Sequence, residues 1–276
     1  MTVDLEGSLS AVAEGSPLVN AVTNNVTVND VAQVILHWGG LPVMSDDERE
    51  VDDMVMAAQA CLLNMGTVSE EGEATMVTAG EAANEKGIPV VLDPVGVGAT
   101  PTRDRVAERL SADLDVAVIK GNYGEVTALG GEAADVRGVE SVGEYSDIAT
   151  TAVACAQKYD TVVVASGETD VVATADAAYE VTAGDPNMGT VVGTGCMLGA
   201  TLATFAGAIE DTEAAALAGT VAFGLAGEAA ANGEFGEFHG PASYNVAFKD
   251  AVAGLRETDY DPASSRIEQV LTADAQ

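Results

Sequence analysis

The segment Gly193-Thr194-Gly195-Cys196 joins two glycines to a cysteine where the pattern predicts that a strand ends and a helix opens. Glycines at 193 and 195 would let successive backbone N–H groups converge at a helix N-terminus, an arrangement that binds a phosphate-like anion. Cys196 then falls in the first helical turn. There the positive end of the dipole is expected to lower its thiol pKa and fit it to deprotonate an attacking hydroxyl. Taken alone, the turn serves equally well for tight packing of strand on helix, with Cys196 a small core residue.

Two further segments bear on the choice. Leu92-Asp93-Pro94-Val95-Gly96 follows the most hydrophobic strand candidate, and Ile119-Lys120-Gly121-Asn122-Tyr123-Gly124-Glu125 places Lys120 at another strand end and Glu125 about one turn into the next helix. Ligands of open α/β sheets gather at the carboxyl ends of strands. Asp93 and Glu125 could hold Mg²⁺, through water, against ATP phosphates, with Lys120 as a further positive contact. Singly, each carboxylate reads equally as a helix cap or a solvated side chain. The chain has no G-x-x-x-x-G-K-[ST] loop and no protein-kinase motif set.

Placing these groups requires strands that end together. Apolar, β-branched runs at Leu18–Val22, Leu41–Met44, Cys61–Met65, Ile88–Leu92, Val116–Ile119 and Thr161–Ala165 alternate with segments of helical period, which predicts a mainly parallel sheet with helices on both faces. Gly39-Gly40, Gly87, Gly121 and Gly130-Gly131 punctuate the units. Val171–Thr174 and Tyr179–Thr182, separated by polar turns, predict an antiparallel edge. Cys196 to Asn232 reads as two buried helices rich in small residues, and Ala242 to Arg256 as a last helix. With no internal repeat or long linker, residues 1–276 are expected to form a single α/β domain.

Eleven Lys plus Arg against 44 Asp plus Glu give a formal net charge of −33, spread along the whole chain. So acidic a surface repels nucleic acid and anionic membrane, and in a chain with an evident core it predicts adaptation to multimolar salt. No apolar run approaches a membrane span, and the start of the chain lacks a basic-then-apolar leader, so a cytoplasmic protein is expected. Cys61, Cys155 and Cys196 form no C-x-x-C pair, which fits a reducing compartment. His37 and His239 share no ligand spacing and are expected to be structural or at the surface.

With these segments in order, the chain resembles the hydroxyethylthiazole kinases of thiamin salvage, within the ribokinase-like group, from about Pro17 to about Leu255. The resemblance is carried by Thr23-Asn24-Asn25-Val26, Gly40 to Met44, Leu63 to Thr67, Ala83 to Thr100, Lys120-Gly-Asn122, Ser166-Gly-Glu-Thr-Asp170 and Gly193-Thr-Gly-Cys196. The Asp-Pro-Val-Gly-Val-Gly-Ala-Thr run is specific, as is the cysteine closing the glycine turn, where most of the wider group carries Asp. It implies a ribokinase-like fold and ATP- and Mg²⁺-dependent phosphorylation of 4-methyl-5-(2-hydroxyethyl)thiazole on its side-chain hydroxyl. By the same resemblance Met44, Gly193 and Asn24 would contact the thiazole, and Cys196 would face the hydroxyl. Lys120, Ser166, Thr194 and Gly195 would contact ATP, and Asp93 and Glu125 would organise metal and phosphates. Related enzymes are trimers with the thiazole pocket shared between subunits, so Met44 would serve a neighbour's site.

The chain departs from the family pattern at Lys120, more often Arg there, at Tyr123, usually small, and at Ala183-Gly184-Asp185 in place of Asn-Gly-His. Three rivals share these expectations in part: a same-fold kinase for hydroxymethylpyrimidine, pyridoxal or a sugar; an ATP-dependent dehydratase of hydrated nicotinamide cofactors; and a non-catalytic sensor. The first two are expected to carry Asp at position 196.

Overall fold

The computed structural model describes residues 3–131, 136–137, 140–141, 147–258 and 263–272. Its strands are β1 (Leu18–Val22), β2 (Leu41–Met44), β3 (Ala60–Asn64), β4 (Val90–Asp93), β5 (Val118–Asn122), β6 (Val136–Arg137), β7 (Glu140–Ser141), β8 (Val162–Ser166), β9 (Asp170–Ala173), β10 (Ala177–Val181) and β11 (Ile267–Thr272). Nine of them form one sheet in the order β11-β10-β9-β8-β5-β4-β3-β1-β2, and β6 and β7 pair separately. From β2 to β8 every pairing is parallel, whereas β8, β9, β10 and β11 pair antiparallel at the other edge.

Side chains alternate between the sheet's faces, and each face carries its own core. One lies under α1 (Leu5–Gly15), α2 (Val28–Trp38), α8 (Thr194–Ala206), α9 (Thr212–Ala231) and α10 (Pro241–Gly254). The other lies under α3 (Val51–Ala57), α4 (Glu70–Lys86), α5 (Pro101–Asp113), α6 (Tyr123–Gly130) and α7 (Ile148–Tyr159). The predicted punctuation is physical: Gly39, Gly87 and Gly131 end α2, α4 and α6 in the left-handed region at φ 103°, 71° and 91°, which a Cβ disfavours.

The parallel sheet, the antiparallel edge and the small-residue helix pair agree with the sequence reading. That reading did not foresee α1, α3 or β11, and it took the residues before the glycine turn for a strand. Pro186–Thr190 is instead a short 3-10 helix capped by the Asp185 side chain. Also contrary to expectation, α9 is long and apolar enough to cross a membrane by length and composition, but 83% of its apolar window is buried inside the fold. It is a core helix, packed along α8 and α10. Helix α2 docks on α8 through Trp38, whose Nε1 donates to Thr201 Oγ1 at 2.8 Å and whose ring meets Phe205 edge-on at 5.5 Å. This fixes the C-terminal end of α2 against the second half of α8.

Candidate active site

In β3, Ala60 and Leu62 belong to the core beneath α8, and Cys61 and Leu63 to the opposite one. The two-residue period therefore puts Asn64 on the α8 side, and the same parity puts Asp93 after Val91 and Lys120 after Val118 on that side. Adjacent parallel strands bring these polar residues side by side, and all three are buried. Asn64 Nδ2 donates to Asp93 Oδ2 at 2.7 Å, and Lys120 Nζ donates to Asp93 Oδ1 at 3.3 Å. From the loop after β1, Asn24 Nδ2 lies 2.8 Å from Asn64 Oδ1, 2.8 Å from Thr27 Oγ1 and 3.4 Å from Cys196 Sγ. Cys196 and Lys120 thus stand at the two ends of one chain of polar contacts.

Helix α8 reaches this chain because it has no side chains where it would collide. A Cβ on Gly195 would lie 2.9 Å from Lys120 Nζ, and one on Gly199, a turn later, 3.2 Å from Asp93 Oδ2. Gly193, the N-cap at φ 93°, leaves no room for a Cβ beside Thr27. Thr194 spends its hydroxyl on Met188 O and Val191 O, both at 2.8 Å, and its N–H on Val191 O. Among the described residues the N–H groups of Gly195 and Cys196 have no hydrogen-bond acceptor, which leaves two donors pointing out of the helix start beside Lys120. Gly195→Ala is expected to lower turnover about 10²-fold by displacing the lysine, with a much smaller change in melting temperature; steady-state rates beside a thermal scan check this.

The other predicted residues are placed as follows. Glu125 caps α6 from within: its Oε2 accepts from Asn122 N at 2.7 Å and its Oε1 from Gly96 N at 2.6 Å, tying the loop after β4 to the start of α6. Ser166 ends β8 beside Asn122 and donates to Gly121 O at 3.3 Å. Met44 ends β2, half-buried at the sheet edge. Tyr123 packs its ring under Gly167, where an added Cβ would clash with the ring, and its hydroxyl donates to Thr169 O. The unusual tyrosine therefore supports the turn that follows Ser166.

The sequence reading assigned no role to Asn64, Thr27 or Arg103. Arg103 donates to Met65 O at 2.8 Å, to Gly66 O at 2.9 Å and to Val95 O, stapling the loops after β3 and β4. The signals for Asn64 were the asparagine closing the run Ala-Cys-Leu-Leu-Asn and its place within the Leu63 to Thr67 match. A separate cavity of about 390 Å³ is lined in part by Glu73, Arg105 and Arg109 and holds none of the site residues. Both arginines there are already paired with Glu73.

Electrostatics correct one expectation. The Cys196 thiol is pushed up, not down: burial acts first and the nearby Asp93 charge adds to it, against Lys120 and hydrogen bonds from Thr27 and Asn64. In this structure Cys196 is a neutral thiol and not a ready base. Burial pulls the Lys120 ammonium down, but Asp93 first, then Glu125 and Cys196, more than offset this and hold it charged. Burial pushes the Asp93 carboxyl up against Lys120 and Asn64. Since both its oxygens accept from nitrogen donors, it stands as the carboxylate of an ion pair.

Burial likewise pushes Glu125 up to about 7, opposed by Lys120 and reinforced by Asp93. The folded chain thus keeps a proton that the unfolded chain, with its ordinary value of 4.5, has already lost. The stability this contributes is complete below about pH 4.5 and disappears as pH rises through about 7. Urea midpoints at fixed KCl are expected to fall between pH 5 and 8, and Glu125→Gln to flatten that slope; an unchanged slope in the variant would contradict the assignment.

The model of the hydroxyethylthiazole kinase family matches residues 9–258. This chain belongs to that family. A hydroxyethylthiazole kinase of Natronomonas pharaonis is 66% identical over 272 residues, covering 98% of this chain and 97% of that one. The solved hydroxyethylthiazole kinase structure of Pyrococcus horikoshii OT3 superposes with a TM-score of 0.83 at 32% identity, over 97% of this chain and 99% of that one. At 14% identity, a Bacillus subtilis pyridoxal kinase solved as an ADP complex still gives a TM-score of 0.55 over 74% of this chain and 88% of that one, which shows a shared fold alone. The fold is therefore ribokinase-like, as the resemblance implied, and the chain is a kinase of the thiamin-related family.

Proposed function

We propose that this chain transfers the γ-phosphoryl group of ATP to the side-chain hydroxyl of 4-methyl-5-(2-hydroxyethyl)thiazole. The observation that carries this reading is the pair of free N–H groups at Gly195 and Cys196, set beside the Lys120–Asp93 ion pair and the Cys196 thiol. Phosphoryl transfer needs positioning and charge stabilisation more than covalent help. These donors and Lys120 suit the γ-phosphoryl oxygens, while Cys196 orients the acceptor hydroxyl. The hydroxyl oxygen bonds phosphorus as the bond to the ADP oxygen breaks. A loose transition state asks little of a base, so the hydroxyl proton can leave late to an oxygen of the transferred phosphoryl group, while the neutral Cys196 thiol only orients the hydroxyl.

Asn24, Gly193 and Met44 would line the thiazole, next to the exposed Val26 and Val192. Ser166, Thr194, Gly195 and Lys120 would contact ATP. Asp93 and Glu125 already accept two protein donors each, so they fit Mg²⁺ through its water shell better than as direct ligands. The ion would neutralise phosphate charge. A continuous sheet with a core on each face supports a single domain. The open β2 edge, with Leu41 49% exposed and Met44 at its end, supports a homotrimer that completes the thiazole pocket across subunits. Free cysteines suit the cytoplasm.

A charge of −33 spread over the surface supports a halophilic protein, as does the likeness to the relative from Natronomonas pharaonis. Its melting temperature is expected to rise steeply with KCl as the repulsion is screened; a flat salt titration would count against it. The substrate is tested by offering Mg·ATP with hydroxyethylthiazole, hydroxymethylpyrimidine and pyridoxal in parallel. Preferential phosphorylation of the thiazole is expected, and preference for either of the others would move the assignment.

A further inference from the structure

Asn64 joins the two halves of the site. Its Oδ1 accepts from Gly66 N at 3.0 Å and from Asn24 Nδ2 at 2.8 Å, and its Nδ2 donates to Asp93 Oδ2 at 2.7 Å. A backbone N–H can only donate, so Gly66 fixes which end of the amide faces which neighbour. Asn24 is oriented in the same way, since its Oδ1 accepts from Val26 N and Thr27 N, both at 3.0 Å. The direction of every bond is therefore set by the backbone, and Asp93 receives its second donor from Asn64 alone. With Asn64 only 3% exposed, no solvent can replace it.

We propose that Asn64 is a positioning residue for phosphoryl transfer, holding Asn24 and Cys196 in register with Asp93 and Lys120. The inference rests on the kinase reading above. Asn24 and Cys196 belong to the loop after β1 and to α8, whereas Asp93 and Lys120 belong to β4 and β5. Apart from Asn64, the direct polar contacts around Asn24 and Cys196 run to Thr27 and the Asn24 loop itself. Asn64 is therefore the hydrogen-bonded bridge between the two sides, beside the direct packing of α8 on Lys120 and Asp93 at Gly195 and Gly199.

A structural rival is available: the bond from Gly66 N makes Asn64 an ordinary turn-former. The pair Asn64→Asp and Asn64→Leu separates the two. The first keeps an acceptor for Gly66 and Asn24 and removes the donor to Asp93 but sets a carboxyl against it, so its loss counts as positioning only when Asn64→Leu, which adds no charge, shows it too. The proposal expects kcat to fall about 10- to 100-fold, as when groups that orient a reacting site are removed, with KM for ATP nearly unchanged. Asn64→Leu, which keeps the volume without adding a charge, is expected to show the same split, with its melting midpoint recorded in concentrated KCl. In combination with Asn24→Ala it should cost no more than the worse single change.

Unchanged kcat in Asn64→Asp or in Asn64→Leu, a loss confined to KM, or losses that multiply in the double variant would each overturn the inference. If Asn64→Asp does not fold, the kcat of Asn64→Leu decides by the same criteria. The parent is assayed first: a parent that makes no thiazole phosphate sinks the kinase reading, whereas an active parent with an unaffected Asn64→Asp sinks only this inference.

Discussion

Replacing Asp93 with alanine is expected to cost about 3–5 kcal/mol of folding stability, because it leaves a buried ammonium without its partner, and to remove measurable turnover. Lys120 is 3% exposed and Asp93 0%, so water cannot take the carboxylate's place. Asn64 Nδ2 loses its acceptor in the same step. Asp93→Asn keeps the volume and one acceptor oxygen; it should recover much of the stability and little of the activity, since the charge that balances Lys120 is gone. Urea unfolding in concentrated KCl with parallel rate measurements separates the two effects. Full activity in Asp93→Asn would mean that the pair is structural.

The second large effect is expected at Cys196. Cys196→Ala should lower kcat about 10²-fold, the scale on which misplacing a reacting group slows a transfer, and leave ATP affinity unchanged, because the free N–H groups belong to the backbone. Equal turnover in variant and parent would remove the thiol from the mechanism. Cys196→Asp should turn over faster than Cys196→Ala, since a carboxylate near Lys120 and the helix N-terminus ionises more readily than a buried thiol.

The sheet was legible because parallel strands buried on both faces read as continuous β-branched runs between glycine stops, as at Val90–Asp93 with Gly87 before it and Gly96 after it. The free N–H groups of the 193–196 turn were legible for a similar reason: glycines in a helix's first turn have a local backbone consequence. The state of Cys196 was not. The dipole argument is visible in a short window, whereas the desolvation and the Asp93 charge that outweigh it come from strands about a hundred residues earlier in the chain. Asn64 was hidden likewise, since its meaning lies in a two-residue period shared with Asp93 and Lys120 across β3, β4 and β5. The edge strand β11 went unforeseen because Ile267–Thr272 alternates weakly and lies mostly exposed against β10. The short 3-10 helix at Pro186–Thr190 was mistaken for a strand end because Val191 and Val192 follow it; Val192 is 77% exposed.

The kinase reading is tested most directly by counting ADP and thiazole phosphate together, in concentrated KCl with Mg·ATP and hydroxyethylthiazole, by coupled assay and mass spectrometry. One thiazole phosphate per ADP is the expected result. ADP released without that product, or thiazole bound with no turnover at all, would contradict the assignment of Gly193 to Cys196, Asp93 and Lys120 to phosphoryl transfer onto this alcohol.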